Sequence, residues 1–207
     1  MLASRPSGKD LQASATAVIV LGAGFGSRFG GDDKLGMALG GMPVAHHILS
    51  ALQPFGWGRK ILVCRHRAVW TSVFRDQGFD VIRNDDPQQG MLSSLRRGAL
   101  AARDLSNVLV CLADMPFVGS RHLARLLFAA GAMSGRVIAS RADDYRGPPA
   151  IIPVGDLLRL PASGEGGARS LLADAAFIDC ERDELLDIDT HQDLEVAKAH
   201  LLAGKGH

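Results

Sequence analysis

Hydrophobic and polar residues along the chain form two recurring patterns. Short runs of branched apolar residues, such as 18–21 and 107–112, lack polar alternation, which is typical of strands covered on both faces. Longer segments carry apolar residues every three or four positions, which predicts helices. The predicted strands are 18–21, 60–64, 79–82, 107–112, 136–139 and 150–153, and the predicted helices are 43–55, 68–77, 92–102, 121–130, 168–173 and 192–202. This order indicates βαβ units and therefore an α/β fold with a mostly parallel sheet.

The first of these strands ends in a loop that is rich in glycine. The loop contains Gly22, Gly24, Gly26, Gly30 and Gly31, with Arg28 and Lys34 placed among and after them. Glycines let backbone N–H groups approach a ligand closely, and the two cations favour a polyanionic one. In parallel α/β sheets, ligands bind at the carboxyl ends of the strands. We therefore predict a nucleoside triphosphate site here.

Two better-known glycine loops do not fit this spacing. A P-loop requires Ser or Thr after its lysine, whereas Leu35 follows Lys34. The dinucleotide fingerprint G-x-G-x-x-G has Ser27 at its last position here. That fingerprint also needs an acid about 20 residues further on, whereas the next predicted strand ends in Cys64 and Arg65.

Acidic residues follow another predicted strand and precede the last predicted helix. Asp114 comes directly after the strand 107–112 and stands before Met115-Pro116. A carboxylate there suits a magnesium ion that also binds phosphate oxygens. The alternative, of equal weight from these residues alone, is that Asp114 caps a turn, since Asp before Pro is common in turns. Asp189 lies in D-I-D-T, before the last helix. It, or Thr190, could equally cap that helix, with Asp193 near the capping-box position.

A polar segment after the strand 79–82 is the third chemical feature. Gly90 allows a tight backbone approach, and Ser93 and Ser94 open the next predicted helix, so we expect their hydroxyl and N–H groups to face outward. Such groups can bind a base or a ribose. The alternative is an ordinary helix start with surface polar residues.

Composition limits the class of protein. The 207 residues are 47% hydrophobic and 22% charged with a net charge of +1, which predicts one globular domain, 16–207, after a flexible leader, 1–15. The absence of a basic field argues against nucleic acid or membrane partners. The chain has no apolar run of 18 residues and no signal-like segment, so we expect the cytoplasm. Cys64, Cys111 and Cys180 are expected to be buried, reduced thiols.

Five motifs in order resemble those of the MobA-like nucleotidyltransferases. They are L-G-A-G-F-G-S-R-F-G-G-D-D-K at 21–34, G-M-L-S-S-L-R-R-G at 90–98, A-D-M-P at 113–116, G-E-G-G-A-R at 164–169 and D-I-D-T at 187–190. The second motif and Ala23 resemble the molybdenum cofactor cytidylyltransferase branch, whereas the guanylyltransferase branch carries Gly-Gly and a G-P-L-A-G-like block. Gly22 stands where the family usually has Ala, and His191 where it has Pro. The resemblance implies a Rossmann-like three-layer α/β/α fold.

The resemblance also implies roles for individual residues. Arg28, Lys34 and Asp114 would be catalytic, with Arg28 on the β- and γ-phosphates and Lys34 at the α-phosphorus. Asp114 and Asp189 would bind Mg²⁺. The nucleotide would contact Leu21, Gly22, Ala23, Gly24, Gly26, Asn84, Gly90, Ser93 and Ser94. The acceptor would contact Gly147, Pro148 and Arg169, with Glu165 standing where that branch has Asp.

The implied reaction is the transfer of CMP from CTP to the terminal phosphate of molybdopterin, with release of pyrophosphate. A methyl group at Ala23 narrows the base pocket, which favours a pyrimidine. The product would pass in a transient contact to a recipient molybdoenzyme or its chaperone. Two alternatives stay open: a related transferase that uses another phosphorylated acceptor or GTP, and a non-catalytic nucleotide-binding protein of a cofactor pathway.

Overall fold

A computed structural model gives the fold of the chain. It describes residues 12–23, 29, 33–66, 68–85, 90–161 and 168–204. Within these residues no helix is both long enough and apolar enough to cross a membrane. The seven-stranded main sheet is accompanied by a two-stranded hairpin. The strands are β1 (Thr16–Gly22), β2 (Ala38–Leu39), β3 (Met42–Pro43), β4 (Arg59–Cys64), β5 (Asp80–Arg83), β6 (Asn107–Leu112), β7 (Ile138–Ala142), β8 (Tyr145–Pro153) and β9 (Ala176–Asp179).

The main sheet has the order β5-β4-β1-β6-β8-β7-β9. Strand β1 pairs in parallel with both β4 and β6, while β8 runs antiparallel to both β6 and β7. All strands except β8 therefore run in one direction, as a mostly parallel sheet requires. The chain moves outward from β1 to β4 and β5, then returns to the other side of β1 with β6. That reversal opens a crevice at the carboxyl ends of β1 and β6.

Helices cover both faces of this sheet. They are α1 (His47–Leu52), α2 (Thr71–Asp76), α3 (Met91–Ala101), α4 (Ser120–Ala132), α5 (Val154–Arg159) and α6 (His191–Gly204). Residues of α1, α2 and α4 share one core with Val18 and Val20, whereas α3 and α5 share the other with Ile19 and Leu21. Successive residues of a strand point to opposite faces, so β1 contributes to both cores. The predicted three-layer α/β/α fold is confirmed.

Helix α3 lies unusually close to the central strand. A Cβ placed on Gly98 would lie 2.7 Å from the side chain of Ile19, closer than carbon atoms approach. Glycine at this position lets the helix backbone rest directly on β1. The contact fixes α3, which begins immediately after Gly90, against the strand that leads into the glycine loop.

Most predicted elements are present, with shifted boundaries. The predicted helix 43–55 is a 3₁₀ helix, Val44–His46, followed by α1, and the predicted helix 168–173 is a 3₁₀ helix, Arg169–Leu172. The hairpin β2–β3 and helix α5 were not predicted. Ala13 is fully buried, so part of the segment predicted as a flexible leader belongs to the packed structure. Cys64 and Cys111 are buried as predicted, whereas Cys180 is only partly buried.

Candidate functional site

A lysine and two aspartates meet at the carboxyl edge of the sheet. The Lys34 ammonium donates hydrogen bonds to Asp114 Oδ2 and Asp189 Oδ1, both at 2.7 Å. Asp114 lies 80 positions after Lys34 in the sequence, and Asp189 lies 155 positions after it. The Lys34 side chain is buried, Asp114 is mostly buried and Asp189 is partly exposed. We call Lys34, Asp114 and Asp189 the Lys34 cluster.

Each member of the Lys34 cluster is held by a different element. Lys34 begins the 3₁₀ helix Lys34–Gly36, and Asp114 follows β6. The Asp114 carbonyl oxygen accepts a hydrogen bond of 3.0 Å from the N–H of Ile188. Because Ile188 precedes Asp189, this bond brings the second carboxylate alongside the first.

A capping box fixes the segment after Asp189. Thr190 Oγ1 accepts from the N–H of Asp193 at 3.1 Å, and Asp193 Oδ2 accepts from the N–H groups of Thr190 at 2.7 Å and Asp189 at 3.1 Å. Loss of solvation raises the pKa of Asp193, but these hydrogen bonds outweigh it and hold the pKa below its usual value. The predicted capping role of Thr190 and Asp193 is confirmed. The Asp189 side chain meanwhile contacts Lys34.

The electrostatics of the Lys34 cluster favour a charged lysine. Burial disfavours the ammonium, but the charges and hydrogen bonds of Asp114 and Asp189 outweigh burial and raise the pKa of Lys34. Desolvation and the charges of Asp189 and Asp114 raise the pKa of nearby Asp187. A cation is therefore held where several carboxylates converge.

The same carboxylates fit a divalent cation. Asp114 Oδ1 is buried and has no hydrogen-bond partner among the described residues, and Asp189 Oδ1 accepts from the same ammonium that binds Asp114 Oδ2. In the part of the chain that the structure describes, no group of three or more His, Cys, Asp and Glu side chains could hold a metal. Two carboxylates alone suit Mg²⁺, which commonly takes one or two protein carboxylates and completes its shell with water and substrate phosphates.

The glycine loop begins beside the Lys34 cluster. Leu21 and Gly22 end β1, and Ala23 follows them. The N–H of Ala113 donates to the Leu21 carbonyl at 3.0 Å, which joins the ends of β1 and β6. The predicted contacts Gly24, Gly26 and Arg28 lie outside the described residues.

The third predicted motif is arranged differently from the expectation. Asn84 Nδ2 donates to Ser93 Oγ and Ser94 Oγ, both at 2.8 Å, and both serines are 5% exposed. The prediction that these hydroxyl groups face outward is wrong, because the amide at the end of β5 turns them inward. Gly90 has a φ of 79°, which favours glycine at the start of α3. Nucleotide contacts by these four residues remain a prediction.

The predicted acceptor residues surround Tyr145. Its hydroxyl donates to the carbonyl of Pro148 at 2.7 Å, and a Cβ on Gly147 would lie 3.0 Å from that hydroxyl. Burial, together with the charges of Asp187 and Asp114, raises the pKa of Tyr145, whereas the charge of Arg169 lowers it. Gly147 and Pro148 thus lie beside the Tyr145 hydroxyl, on which the charges of Arg169, Asp187 and Asp114 all act. An acceptor-binding role for these residues remains a prediction.

Sequence reasoning did not place three further residues at this site, although it predicts Trp70 to be a core or lid residue. Tyr145 was not singled out, and Phe29, in the middle of the glycine loop, is fully buried with its ring 4.2 Å from that of His191. Trp70 is buried and donates from Nε1 to Asp33 Oδ2 at 2.8 Å. A large aromatic residue in a loop of small polar residues was the available signal for Phe29. Tyr145 and Trp70 carried no periodic signal.

Comparisons with known proteins agree with this arrangement. Residues 18–182 match the MobA-like NTP transferase domain. The chain is 29% identical over 192 residues to a molybdenum cofactor guanylyltransferase of Cereibacter sphaeroides, covering 88% of this chain and 95% of that protein. It is 29% identical over 155 residues to one of Pseudomonas fluorescens (strain Pf0-1), covering 74% of this chain and 76% of that protein.

A solved structure shows the same fold. A nucleotidyl transferase from Methanothermobacter thermautotroptrophicus superimposes with a TM-score of 0.74 at 24% identity, covering 91% of this chain and 98% of that chain. The family match spans most of the chain, including most of β1 and all of β6 and β8. The chain is therefore a nucleotidyltransferase that belongs to the MobA-like NTP transferase domain family.

Proposed function

We propose that this nucleotidyltransferase transfers CMP from CTP to the terminal phosphate of molybdopterin and releases pyrophosphate. The observation that carries the proposal is the Lys34 ammonium, held at 2.7 Å from both Asp114 and Asp189 beside the start of the glycine loop. A fixed cation next to a loop of backbone N–H groups suits a triphosphate whose charge shifts during transfer.

The chemistry needs positioning and charge compensation more than covalent help from the protein. An oxygen of the acceptor phosphate attacks the α-phosphorus of CTP, forming one P–O bond. The bond between the α-phosphorus and the oxygen that bridges to the β-phosphate breaks, and pyrophosphate leaves with that electron pair. The acceptor phosphate is already anionic, so no general base is required. Lys34 would stabilise the negative charge that builds up around the α-phosphorus.

Asp114 and Asp189 would hold Mg²⁺ in this proposal. When bound, the ion would neutralise charge on the phosphate oxygens. This assignment is supported by the nearby Asp189 carboxylate and by the buried Oδ1 of Asp114, which has no hydrogen-bond partner in the described part of the chain. Lys34 contacts the same two carboxylates, so we infer that the ammonium turns towards the phosphates when the metal and nucleotide bind together.

The choice of base rests on Ala23 and on the segment from Gly90 to Ser94. Ala23 is the position at which the cytidylyl branch carries a methyl group, and a methyl group narrows the space for a base. We predict that Ala23→Gly increases turnover with GTP relative to CTP, which a kinetic comparison of the two nucleotides would measure. If the variant keeps the wild-type ratio, the base is selected elsewhere.

GTP is the second candidate nucleotide, favoured by the comparisons. The two curated relatives described above are both molybdenum cofactor guanylyltransferases. Their names also support a molybdenum cofactor precursor as the acceptor. The acceptor side would include Gly147, Pro148 and Arg169, where an arginine close to Tyr145 suits a phosphate group. Another phosphorylated acceptor would use the same donor side.

Pyrophosphate release tests the proposal directly. Purified protein receives molybdopterin and Mg²⁺ with CTP, GTP, ATP or UTP in turn, and a parallel set contains EDTA. We expect release with CTP that stops when the metal is chelated. Release with GTP alone would identify a guanylyltransferase and overturn the choice of base. CTP binding without release from any nucleotide would favour another acceptor or the non-catalytic alternative, which a panel of phosphorylated acceptors would separate.

A further inference from the structure

Trp70 contacts both the end of β1 and the residue before Lys34. It stands between β4 and α2 and is 5% exposed. A buried tryptophan is ordinarily a core residue, since its ring removes a large apolar area from water. Here the two ends of the indole contact different parts of the candidate site, and these contacts go beyond general packing.

The benzene side of the indole packs against the end of β1. A Cβ on Gly22 would lie 3.0 Å from Trp70 Cη2 and 3.1 Å from Leu35 Cδ1, tighter than ordinary contacts. Gly22 is the position at which the motif usually has alanine. The ring of Trp70 therefore occupies space that an alanine methyl group would need. This explains why the position holds Gly22 rather than the usual alanine.

The pyrrole side of the indole holds the residue before Lys34. Trp70 Nε1 donates to Asp33 Oδ2 at 2.8 Å, and the Asp33 carbonyl accepts from the N–H of Gly36 at 2.9 Å. Asp33 is thus tied to the indole by its side chain and to the 3₁₀ helix Lys34–Gly36 by its backbone. A shift of Asp33 would move the lysine that starts this helix.

Trp70 is itself held firmly. Its carbonyl oxygen lies 2.8 Å from Nε2 of His46, and its ring meets Phe74 edge-on at 5.9 Å. A rigid support is a requirement for a residue that orients a catalytic group through another residue.

We propose that Trp70 is a positioning residue for nucleotidyl transfer, whose indole packs on Gly22 and holds Asp33 so that the backbone of Lys34 keeps its place beside Asp114 and Asp189. Its effect on turnover rests on the proposed function, whereas its effect on the position of Lys34 does not. The proposal therefore needs one measurement that is independent of activity and one that follows activity.

The first measurement is the reactivity of lysine side chains. Native protein is labelled with limiting acetic anhydride, and mass spectrometry compares acetylation of Lys34 with that of exposed Lys198. Trp70→Phe keeps an aromatic ring but removes the N–H donor and the atom next to Gly22. The matched control is Trp57→Phe, because it also removes an indole N–H donor, which in Trp57 binds the backbone carbonyl of Leu52 at 2.9 Å and lies away from Lys34.

We expect Lys34 to react at least tenfold more slowly than Lys198 in the wild type and in Trp57→Phe. In Trp70→Phe we expect this protection to fall several-fold. Equal protection of Lys34 in all three proteins would overturn the proposal. If Trp70→Phe is unstable, Asp33→Asn provides a second route, because it weakens the same link from the other side, and unchanged protection in that variant would also contradict the proposal.

The second measurement is steady-state pyrophosphate release at varied nucleotide concentration. We expect Trp70→Phe to lower kcat about tenfold with little change in KM, since small misplacement of a catalytic group costs turnover more than binding. Gly22→Ala should lower kcat similarly on its own, and it should add little in the Trp70→Phe background, where the crowded atom is absent. Normal kcat in folded Trp70→Phe would mean a core role only, which overturns the proposal.

The two measurements also separate this inference from the proposed function. Wild-type protein without pyrophosphate release, but with Lys34 protected through Trp70, would refute the proposed reaction and support the positional role. Active wild type with unchanged protection and kcat in Trp70→Phe would refute the role of Trp70 alone.

Discussion

Replacing Lys34 by alanine removes the cation from the centre of the candidate site. The side chain loses two charge-assisted hydrogen bonds of 2.7 Å, and the carboxylates of Asp114 and Asp189 are left facing one another. Both stability and turnover should respond, for separate reasons. The two effects can be measured on the same variant.

The size of the stability change follows from exposure. The bond to Asp114, which is 20% exposed, should contribute about 2 kcal/mol. The bond to Asp189, which is 42% exposed, should contribute less than about 1 kcal/mol because solvent screens it. We therefore expect the free energy of unfolding to fall by about 2–3 kcal/mol at neutral pH. Because the folded pKa of Lys34 is raised, this contribution is fully present below the ordinary lysine pKa and is lost only as pH rises through the folded value.

Turnover should fall further than binding. Removing one preorganised group that stabilises transition-state charge typically lowers kcat by about 10²–10³-fold. Urea unfolding and initial rates of pyrophosphate release at varied CTP concentration measure the two quantities. Lys198→Ala is the matched control, since Lys198 pairs with the exposed Glu195 one turn away on α6, and its replacement should change stability by less than about 0.5 kcal/mol.

Two results would refute this reasoning. If KM for CTP rises while kcat stays unchanged, Lys34 binds the ground state and does not act at the α-phosphorus. If Lys34→Ala is as stable as Lys198→Ala, the ion pairs contribute nothing to the fold.

Further predictions concern the metal, the core and pH. Asp114→Ala should abolish Mg²⁺-dependent pyrophosphate release, and normal release would remove the metal assignment. Gly98→Ala should destabilise the fold by about 1–3 kcal/mol in urea unfolding through overpacking against β1, whereas Gly56→Ala, with open space around it, should be nearly neutral. Burial and the charge of Arg125 lower the pKa of His122 to about 4 from 6.5. In urea unfolding, stability should therefore be intact above pH 6.5 and fall by about 3 kcal/mol towards pH 4. A His122→Gln variant that keeps the full acid loss would contradict this.

The sequence predicts the frame of the molecule because its strands are buried on both faces. Runs such as 107–112 have only one energetically acceptable environment, so their strand character is readable without tertiary information. Helix α5 was missed because six residues after Pro153 give too few turns for a periodic pattern. The helix predicted over 43–55 starts later than predicted because Pro43 belongs to the hairpin β2–β3 and Val44–His46 form a 3₁₀ helix.

The sequence alone predicts only part of the candidate site, because some of its side chains are oriented by residues that are distant in the sequence. Lys34, Asp114 and Asp189 each follow or precede a predicted element, so the order of elements and the family resemblance could place them together. The orientation of Ser93 and Ser94 depends on the amide of Asn84, which follows strand β5. Sequence rules for helix starts consider only nearby residues, so they could not predict this contact. Trp70 likewise acts through contacts between distant segments.

The antiparallel strand β8 has a consequence for how selectivity can diverge. Strands β7 and β8 are joined by a short turn that includes Asp143 with a φ of 48°, and β8 pairs Ala150 with Val110. The turn and Gly147 therefore lie at the end of β6 that leads to Asp114, and this excursion leaves and re-enters the sheet at the same side. Insertions or exchanges in the turn need not shift any strand that supports Lys34. If the acceptor binds beside this turn as proposed, the acceptor side and the nucleotide side could vary independently. Grafting the turn between relatives should then transfer acceptor preference while leaving nucleotide preference unchanged.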